Sequence, residues 1–341
     1  KFEIDIHRYP ILDLIAKERT IVGKETISAL RKKGIFKYSA SGVGGRKKIR
    51  EKFYYEYLLA MNSEKVDEEF RINLNIIATA ITSQIKQRRS AESVNYLKAD
   101  IDKARQLQKS ILPEHEFKFH DYDLYGLTNP AEIIGGDFFD YLEHGDEKDR
   151  LGVTIGDAAS KGVGAAAEAM YIAGALRMAS GFEIKIVALM RRLNQLVNRI
   201  FEDDKFASLF YGELSTHRTG LFLYANAGHN PPIFFKAKSE KAEYLEPTGP
   251  VLGPAPNAKY QVDSINFSKG DVLLLYSDGI TESANEKFEP YGDEKLLAKL
   301  KSLVQLTPKE ITLGILDDVI KFSKNGKYSD DMTLVVIKKM K

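Results

Sequence analysis

The sequence contains no cysteine, and this absence removes two kinds of site from consideration. Without thiols the chain can form neither a disulfide framework nor a thiolate metal centre. Any metal ion must therefore be bound by oxygen ligands or by the six histidines. Hydrophobic residues make up 43% and charged residues 29% of the 341 residues, which is typical of a globular protein long enough for two domains.

Long apolar stretches are also lacking. No run approaches the ~20 residues that a membrane-spanning helix requires, and the chain does not open with a signal peptide. We therefore expect a cytoplasmic protein with no membrane span in this chain. The first residue is Lys1, so the sequence leaves open whether a leader, an anchor or another domain precedes it.

The net charge of +2 hides an uneven distribution. Residues 1–110 hold 23 basic and 14 acidic residues, a net charge of +9, whereas residues 111–341 hold 27 and 34, a net charge of −7. Such a split suggests two parts with different roles, although scattered surface charge would give the same balance. The basic part lacks the interleaved aromatic residues of a nucleic-acid surface, so we predict no nucleic-acid partner.

Three segments are predicted, and the first of them, residues 1–85, mixes helical and strand-like stretches. Residues 53–60 are rich in aromatic side chains and predict a strand. Residues 67–85 show apolar residues at helical spacing and predict an amphipathic helix. The basic, glycine-rich stretch 39–50 is predicted to be a flexible loop.

The second segment, residues 86–112, is predicted to be a polar linker helix that Pro113 stops. Its apolar residues recur at a three-four spacing, with Gln108 as the polar interruption; they are Val94, Leu97, Ile101, Ala104 and Ile111. This stripe fits either a short parallel coiled coil between two chains or a single helix lying on its own catalytic domain. We predict a homodimer through this helix and the N-terminal domain, while the second arrangement stays open.

The third segment, residues 113–341, is rich in short strands separated by turns, with two long helices predicted at 163–179 and 182–200. Strands in runs with helices segregated between them favour an α+β layered domain over a doubly wound one. The predicted strands are 151–155, 206–214, 221–226, 232–235, 272–276 and 333–337.

Four turns of this segment carry aspartates next to glycine or small polar residues, at Asp137, Asp157, Asp278 and the pair Asp330 and Asp331. Carboxylates that are brought together repel one another, so a site that gathers four of them must contain cations. Mg²⁺ and Mn²⁺ suit oxygen ligands, and two such ions ~3.5–4 Å apart can activate a bridging water. A single Asp-Gly pair is most often only a turn, so the case depends on four turns in a fixed order. Spacing alone does not separate a phosphatase from another two-metal hydrolase.

These residues resemble the metal-dependent protein phosphatases of type 2C. The resemblance is to the bacterial branch that includes the stage II sporulation phosphatase and the regulators of the general stress sigma factor, and it covers residues from about 100 to 341. Five motifs occur in the order of that branch, at 135–140, 156–162, 227–232, 277–282 and 330–333. The stretch 108–113, Gln-Lys-Ser-Ile-Leu-Pro, also resembles the usual approach to the domain.

The resemblance implies a central β-sandwich with helices outside, a four-layer α-β-β-α arrangement, and two Mn²⁺ or Mg²⁺ ions at one end. Carried over onto this sequence, Asp137, Asp157 and the backbone carbonyl of Ala158 would bind one ion. Asp157, Asp278 and Asp330 would bind the other, with Asp157 bridging the two.

Other positions have less direct roles in the resemblance. Asp331 is expected behind the metal ligands, and Lys161 is a weak candidate for contacting the substrate phosphate. His229 lies in a Gly-His-Asn-Pro-Pro turn, where it could act as an acid to the leaving oxygen, although bracing the turn is the stronger expectation. Ser160 stands where the branch has glycine, which puts the carbonyl geometry of Ala158 in question.

The function that the resemblance implies is hydrolysis of phosphoserine or phosphothreonine on a regulatory protein, by analogy an anti-sigma-factor antagonist, by a water that two metal ions activate. Residues 1–85 resemble the end of a GAF sensor domain, which would receive a small-molecule or protein signal. Two alternatives stay open: a catalytically silent module that binds a phosphoprotein, and a two-metal hydrolase of nucleotides or small phosphates. The complete set of aspartates argues against the first, and the lack of a nucleotide motif argues against the second.

Overall fold

The computed structural model describes residues 10–49, 51–63, 65–144, 149–201, 205–216, 220–324, 326 and 330–341. Arg50, Tyr328 and Ser329, which fall in segments singled out above, lie outside these ranges. The chain forms two compact units, Lys1–Asp100 and Ile101–Lys341. No helix in the described ranges is both long enough and apolar enough to cross a bilayer.

The first unit is built around a three-stranded antiparallel sheet. Its elements are α1 (Pro10–Glu18), β1 (Thr20–Lys24), α2 (Ser28–Arg31), β2 (Lys37–Ile49), β3 (Lys52–Asn62) and the first part of α3 (Glu68–Ile111). The strands are ordered β1-β2-β3, and the predicted strand at 53–60 lies within β3. Ile15, Ile21 and Ala40 form its small core, and Leu74 and Ala78 of α3 are also buried.

The glycine-rich stretch 39–50, predicted to be a flexible loop, instead forms most of strand β2. Its pairing with β3 contains an irregularity at the glycines, where Gly44 adopts a φ of +85°. A Cβ atom on Gly42 would lie 2.1 Å from the ring of Tyr55. The glycines therefore permit a bulge and a close approach of the ring, and the loop prediction was wrong because it equated glycine with flexibility.

The two helical stretches predicted at 67–85 and 86–112 form one continuous helix, α3, of 44 residues. The helix ends at Ile111, two residues before Pro113, as the proline predicts. The domain limits at residues 85 and 112 stay predictions.

The second unit contains two antiparallel sheets. Its strands are β4 (Glu116–Phe119), β5 (Tyr122–Asn129), β6 (Asp137–His144), β7 (Arg150–Ala158), β8 (Ala207–Ser215), β9 (Leu221–Ala227), β10 (Ile233–Lys236), β11 (Lys241–Tyr244), β12 (Asp263–Asn266), β13 (Val272–Tyr276) and β14 (Met332–Lys339). One sheet has six strands in the order β11-β10-β13-β14-β5-β4, and the other has five in the order β12-β9-β8-β7-β6. The helices are α4 (Gly162–Ser180), α5 (Ile186–Ile200), α6 (Asp278–Thr281), α7 (Gly292–Leu303) and α8 (Pro308–Phe322).

The alternation of side chains along the strands explains how these elements stack. On β13, Leu273 and Leu275 join the core that both sheets share, whereas Leu274 and Tyr276 pack in a cluster with α7 and α8. The outer face of the five-stranded sheet is covered by α4 and α5, through a cluster that includes Leu193. The packing order is helix, sheet, sheet, helix, and the predicted α+β class is confirmed.

Helices α7 and α8 are missing from the sequence prediction, although α8 carries a clear start signal. The Thr307 side chain accepts a hydrogen bond from the Glu310 amide, and the Glu310 carboxylate accepts one from the Thr307 amide, which is a capping box. Pro308 occupies the first turn, where its lack of an N–H costs nothing. The buried residues that follow at helical spacing are Ile311, Ile315 and Val319.

Candidate metal centre

The predicted ligands come from both sheets of the second unit. Asp137 is the first residue of β6 and lies opposite Asp157 of β7 in the antiparallel register. On the other sheet, Asp278 is the first residue of α6, two residues after the end of β13, and Asp330 lies two residues before β14, the neighbour of β13. The strand ends therefore bring the four carboxylates to one end of the sandwich, although they are up to 193 residues apart in the sequence.

The pKa shifts report how closely the carboxylates interact. Burial, and then the neighbouring Asp157, hold the pKa of Asp137 well above its usual range. Burial and then the charges of Asp278 and Asp330 raise the pKa of Asp157 to about 7. Burial and then the charges of Glu282 and Asp330 raise the pKa of Asp278 to about 6. Each group resists ionisation beside the others, so the fully charged set needs a cation.

The donor atoms present suit a hard divalent ion. Asp137 is 2% exposed, and its Oδ2 atom is buried without a hydrogen-bond partner in the described part of the chain. A Cβ atom on Gly136 would lie 2.9 Å from the carbonyl oxygen of Ala158 and 3.5 Å from Oδ1 of Asp157. Because Gly136 has no side chain, the space beside these two candidate ligand oxygens stays open. An orphaned carboxylate oxygen beside further oxygen donors fits Mg²⁺ or Mn²⁺.

Within the described ranges, no three acidic or histidine side chains lie close enough together to hold a metal ion as they stand. This openness is compatible with Mg²⁺, which usually keeps several waters and takes only one or two carboxylates from the protein. The acidic side chains share one electrostatic environment without closing on a single point.

Asp331 is engaged by backbone amides. Its Oδ1 accepts a hydrogen bond from the Ala131 amide at 2.8 Å, and its Oδ2 accepts one from the Gly136 amide at 2.6 Å. The neighbouring Asp330 has a side chain that is one-third exposed, at 34%, and its Oδ2 lies 3.9 Å from Nζ of Lys161. Asp331 is thus held by backbone amides, whereas Asp330 is partly exposed beside Lys161.

Serine at position 160, where the related phosphatases have glycine, does not force a strained backbone angle. Ser160 is not among the residues with positive φ, whereas Gly162, the first residue of α4, has a φ of +66°. The Ser160 hydroxyl donates a hydrogen bond to Glu168 at 2.9 Å, one turn into α4. Lys161 is largely exposed, and its contact with Asp330 leaves it at the edge of the cluster.

His229 is 2% exposed, and its surroundings suit a brace. Its Nδ1 lies 2.8 Å from the hydroxyl of Ser208, which is the register partner of Asp157 on β8. Its backbone amide donates to the Asn226 side chain at 2.8 Å. Burial lowers the pKa of His229 to about 4, so the imidazole is neutral near pH 7. This geometry favours the bracing role over the acid role.

Three residues beside the cluster were not assigned a site role from the sequence. Asp140, at the end of the first motif, is 2% exposed, and Arg177 of α4 binds both of its carboxylate oxygens, with distances of 2.5 Å from Nε and 3.1 Å from Nη2. The side chain of Gln108 binds the backbone of Gly135. Asp140 is flanked by aromatic residues in its strand, so the sequence indicates that a cationic side chain pairs with it. The sequence does not show that this side chain is Arg177.

Comparison with known proteins gives one family match. The family model described as stage II sporulation protein E (SpoIIE) matches residues 147–339, more than half of the chain. The match covers the strands and turns that carry Asp157, Asp278 and Asp330.

The curated proteins similar to the chain include RsbU and IcfG. It is 26% identical over 245 residues to the phosphoserine phosphatase RsbU of Bacillus subtilis, an alignment that covers 71% of this chain and 71% of that protein. It is 28% identical over 296 residues to the protein IcfG of Synechocystis sp., covering 77% of this chain but 44% of that protein. The chain thus spans less than half the length of IcfG.

A solved structure shares the fold. The SiaA-PP2C domain of Pseudomonas aeruginosa matches with a TM-score of 0.62 at 18% identity, over 73% of this chain and 99% of that domain. At this identity the likeness shows the fold, and it agrees with the two packed sheets and outer helices described above.

Proposed function

The chain belongs to the stage II sporulation protein E (SpoIIE) family, and from this premise we propose that it is a metal-dependent protein phosphatase acting on phosphoserine or phosphothreonine. The observation that carries the proposal is that Asp137, Asp157, Asp278 and Asp330 lie at the same end of two sheets and oppose one another's ionisation, while one oxygen of Asp137 is buried with no partner among the described residues. Only a cation makes that arrangement favourable in the ionised state.

Each residue of the centre has a proposed task. Asp137, Asp157 and the carbonyl of Ala158 would hold one Mn²⁺ or Mg²⁺, and Asp157, Asp278 and Asp330 would hold the second. Two such ions, when bound, supply an activated water and neutralise the charge that develops on the phosphoryl group. Asp331 keeps the first motif in place through the backbone amides it binds. Lys161, exposed beside Asp330, is a candidate for contacting a substrate phosphate.

The proposed substrate is a phosphorylated regulatory protein. Similarity to RsbU, a phosphoserine phosphatase by its name, supports a phosphoserine substrate over a nucleotide. By the resemblance noted in the sequence, the proposed partner is an antagonist of an anti-sigma factor, and such a regulator would place the protein in the cytoplasm.

The first unit is proposed to receive a signal and to form a homodimer. It contains a largely apolar cavity of about 490 Å³, lined by residues that include Ile15, Leu30, Tyr38, Leu58 and Met61, which suits a small apolar molecule. In the same unit α3 exposes Ile72, Ile76 and Ile77, each at least 45% exposed, a face that a second copy could cover.

A phosphatase assay tests the proposal. The full chain, with Mn²⁺ and then with EDTA, is given a phosphoserine peptide, a nucleotide and a generic aryl phosphate. We expect Mn²⁺-dependent release of phosphate, with the peptide preferred over the nucleotide. A preference for the nucleotide would instead favour a hydrolase of small phosphates. A chain that binds the phosphopeptide but releases no phosphate would favour a silent binding module.

A further inference from the structure

The side chain of Gln108 makes an unusual contact near the end of α3. Gln108 is 8% exposed, whereas Gln106 on the same turn is exposed. Its Nε2 donates a hydrogen bond to the carbonyl oxygen of Gly135 at 2.6 Å, and its Oε1 accepts one from the amide of Gly135 at 3.4 Å. A buried side-chain amide therefore satisfies both backbone groups of one residue.

The backbone around Gly135 is also in contact with a residue of the acidic cluster, Asp331. A Cβ atom on Gly135 would lie 2.1 Å from Oδ2 of Asp331, the oxygen that accepts the Gly136 amide. The backbone at Gly135 and Gly136 thus lies between the Gln108 amide and the Asp331 carboxylate. Asp137, with its unpartnered oxygen, follows directly.

A second tie joins the end of α3 to the same strand. The guanidinium of Arg177 donates to both carboxylate oxygens of Asp140, three residues after Asp137 on β6, and also to the carbonyl oxygen of Ile111, the last residue of α3. The last turn of α3 is therefore attached to the first motif at two points, through Gln108 and through Ile111. A displacement of this turn would therefore move the backbone that positions Asp137.

We infer that Gln108 is a positioning residue for the metal centre: its side-chain amide holds Gly135 and thereby fixes where the Asp137 carboxylate meets a divalent ion. The inference rests on the proposed function insofar as the centre binds such ions. Gln108 contacts no candidate ligand atom itself and acts through two peptide units. Residues that orient metal ligands in this indirect way influence metal affinity strongly.

The test is a direct Mn²⁺ titration of the full chain, following the electron paramagnetic resonance signal of the free ion. Gln108→Met keeps the length of the side chain but removes both hydrogen bonds to Gly135. We expect the Mn²⁺ dissociation constant to rise about tenfold, at the low end of the range for residues that support metal ligands. The matched control, Gln106→Met, makes the same change two residues away on an exposed position and should leave the dissociation constant unchanged.

Circular dichroism and thermal unfolding in EDTA show whether the variants fold. If Gln108→Met does not fold, Gln108→Glu, which keeps the size of the side chain and loses the donor to Gly135, takes its place in the same comparison. Equal Mn²⁺ affinity in the wild type and the Gln108 variant overturns the inference while leaving the proposed function intact. A wild-type chain that binds no Mn²⁺ overturns both.

Discussion

Within the described part of the chain, Oδ2 of Asp137 is buried without a hydrogen-bond partner, in a cluster where burial and neighbouring charge oppose ionisation. In a metal-free protein this arrangement is unfavourable, because a buried carboxylate needs hydrogen bonds or a counter-charge. The position of Asp137 at the start of β6, opposite Asp157, therefore supports the proposed metal centre.

Asp157→Asn and Asp278→Asn should each reduce Mn²⁺-dependent turnover by at least about a hundredfold, because losing the charge of one ligand removes several kcal/mol of stabilisation. The rate on a phosphoserine peptide at saturating Mn²⁺ is the measurement. Asp317→Asn, on the exposed face of α8, is the matched control and should keep wild-type turnover. Full turnover in either site variant would show that the ligand assignment is wrong.

Arg177→Met should destabilise the protein by about 2–3 kcal/mol, because it leaves the buried Asp140 carboxylate unpaired; the exposure of Arg177 keeps the loss below that of a fully buried pair. Urea unfolding measures the change. Arg191→Met, an exposed arginine of α5, serves as the control and should change stability by less than about 0.5 kcal/mol. Equal stability of the two variants would mean that the ion pair contributes nothing.

The sequence identifies the four aspartates as candidate ligands, but it does not identify the side chains that hold the backbone around them. Asp137, Asp157, Asp278 and Asp330 could be found because each follows or precedes an apolar strand in a turn rich in small residues. Gln108 and Arg177 could not, because hydrogen bonds across 27 and 37 positions depend on how the elements pack. Gln108 even appeared as an interruption in an apolar stripe, although it is the buried polar contact of that helix.

At the level of elements, two glycines illustrate opposite consequences of adding one methyl group. Gly135→Ala should displace the Asp331 carboxylate, which lies 2.1 Å from the new Cβ position, and so destabilise the protein by about 1–3 kcal/mol and weaken Mn²⁺ binding. Gly174→Ala, in the exposed middle of α4 with no atom within 4 Å, should stabilise it by about 0.5–1 kcal/mol. Thermal unfolding measures the change in stability of both variants, and Mn²⁺ titration measures the change in their metal affinity. The account of the first motif fails if Gly135→Ala behaves like Gly174→Ala.

The elements also show what local patterns can and cannot provide. Proline at position 113 correctly stops α3, and the short apolar runs at 272–276 and 333–337 correctly predict β13 and β14. The segment 39–50 was mispredicted because glycine also serves bulges and close ring contacts, which depend on the partner strand. Helix α8 is absent from the sequence prediction, although its capping box and the helical spacing of its apolar residues were sufficient to predict it.

For the whole molecule, the acidic cluster links stability to pH and to metal. The pKa of Asp157 is raised from an ordinary value near 3.8 to about 7, so the folded metal-free protein holds this proton more tightly than the unfolded chain does. Stability from this group is therefore complete below about pH 4 and is lost as pH rises toward 7. In EDTA, the melting temperature should fall by several degrees between pH 5 and pH 8, since 1 kcal/mol corresponds to about 2–4 °C for a domain of this size.

Calorimetry from pH 5 to pH 8 measures this linkage. Mn²⁺ should remove the loss at pH 8, because it binds the ionised carboxylates of the folded state. Asp157→Asn should flatten the curve in EDTA, which isolates the contribution of this one group. A melting temperature in EDTA that rises across the window for the wild type relative to Asp157→Asn would contradict the sign of the shift.

Equilibrium binding of Mn²⁺ to the purified full chain at neutral pH, measured by isothermal titration calorimetry, tests the central claim most directly. The account predicts about two ions per chain, and it predicts that Asp157→Asn impairs binding of both because Asp157 is the proposed ligand of both. A wild-type chain that takes up no Mn²⁺ at saturating concentration, or that binds it equally well without the Asp157 carboxylate, would contradict the account.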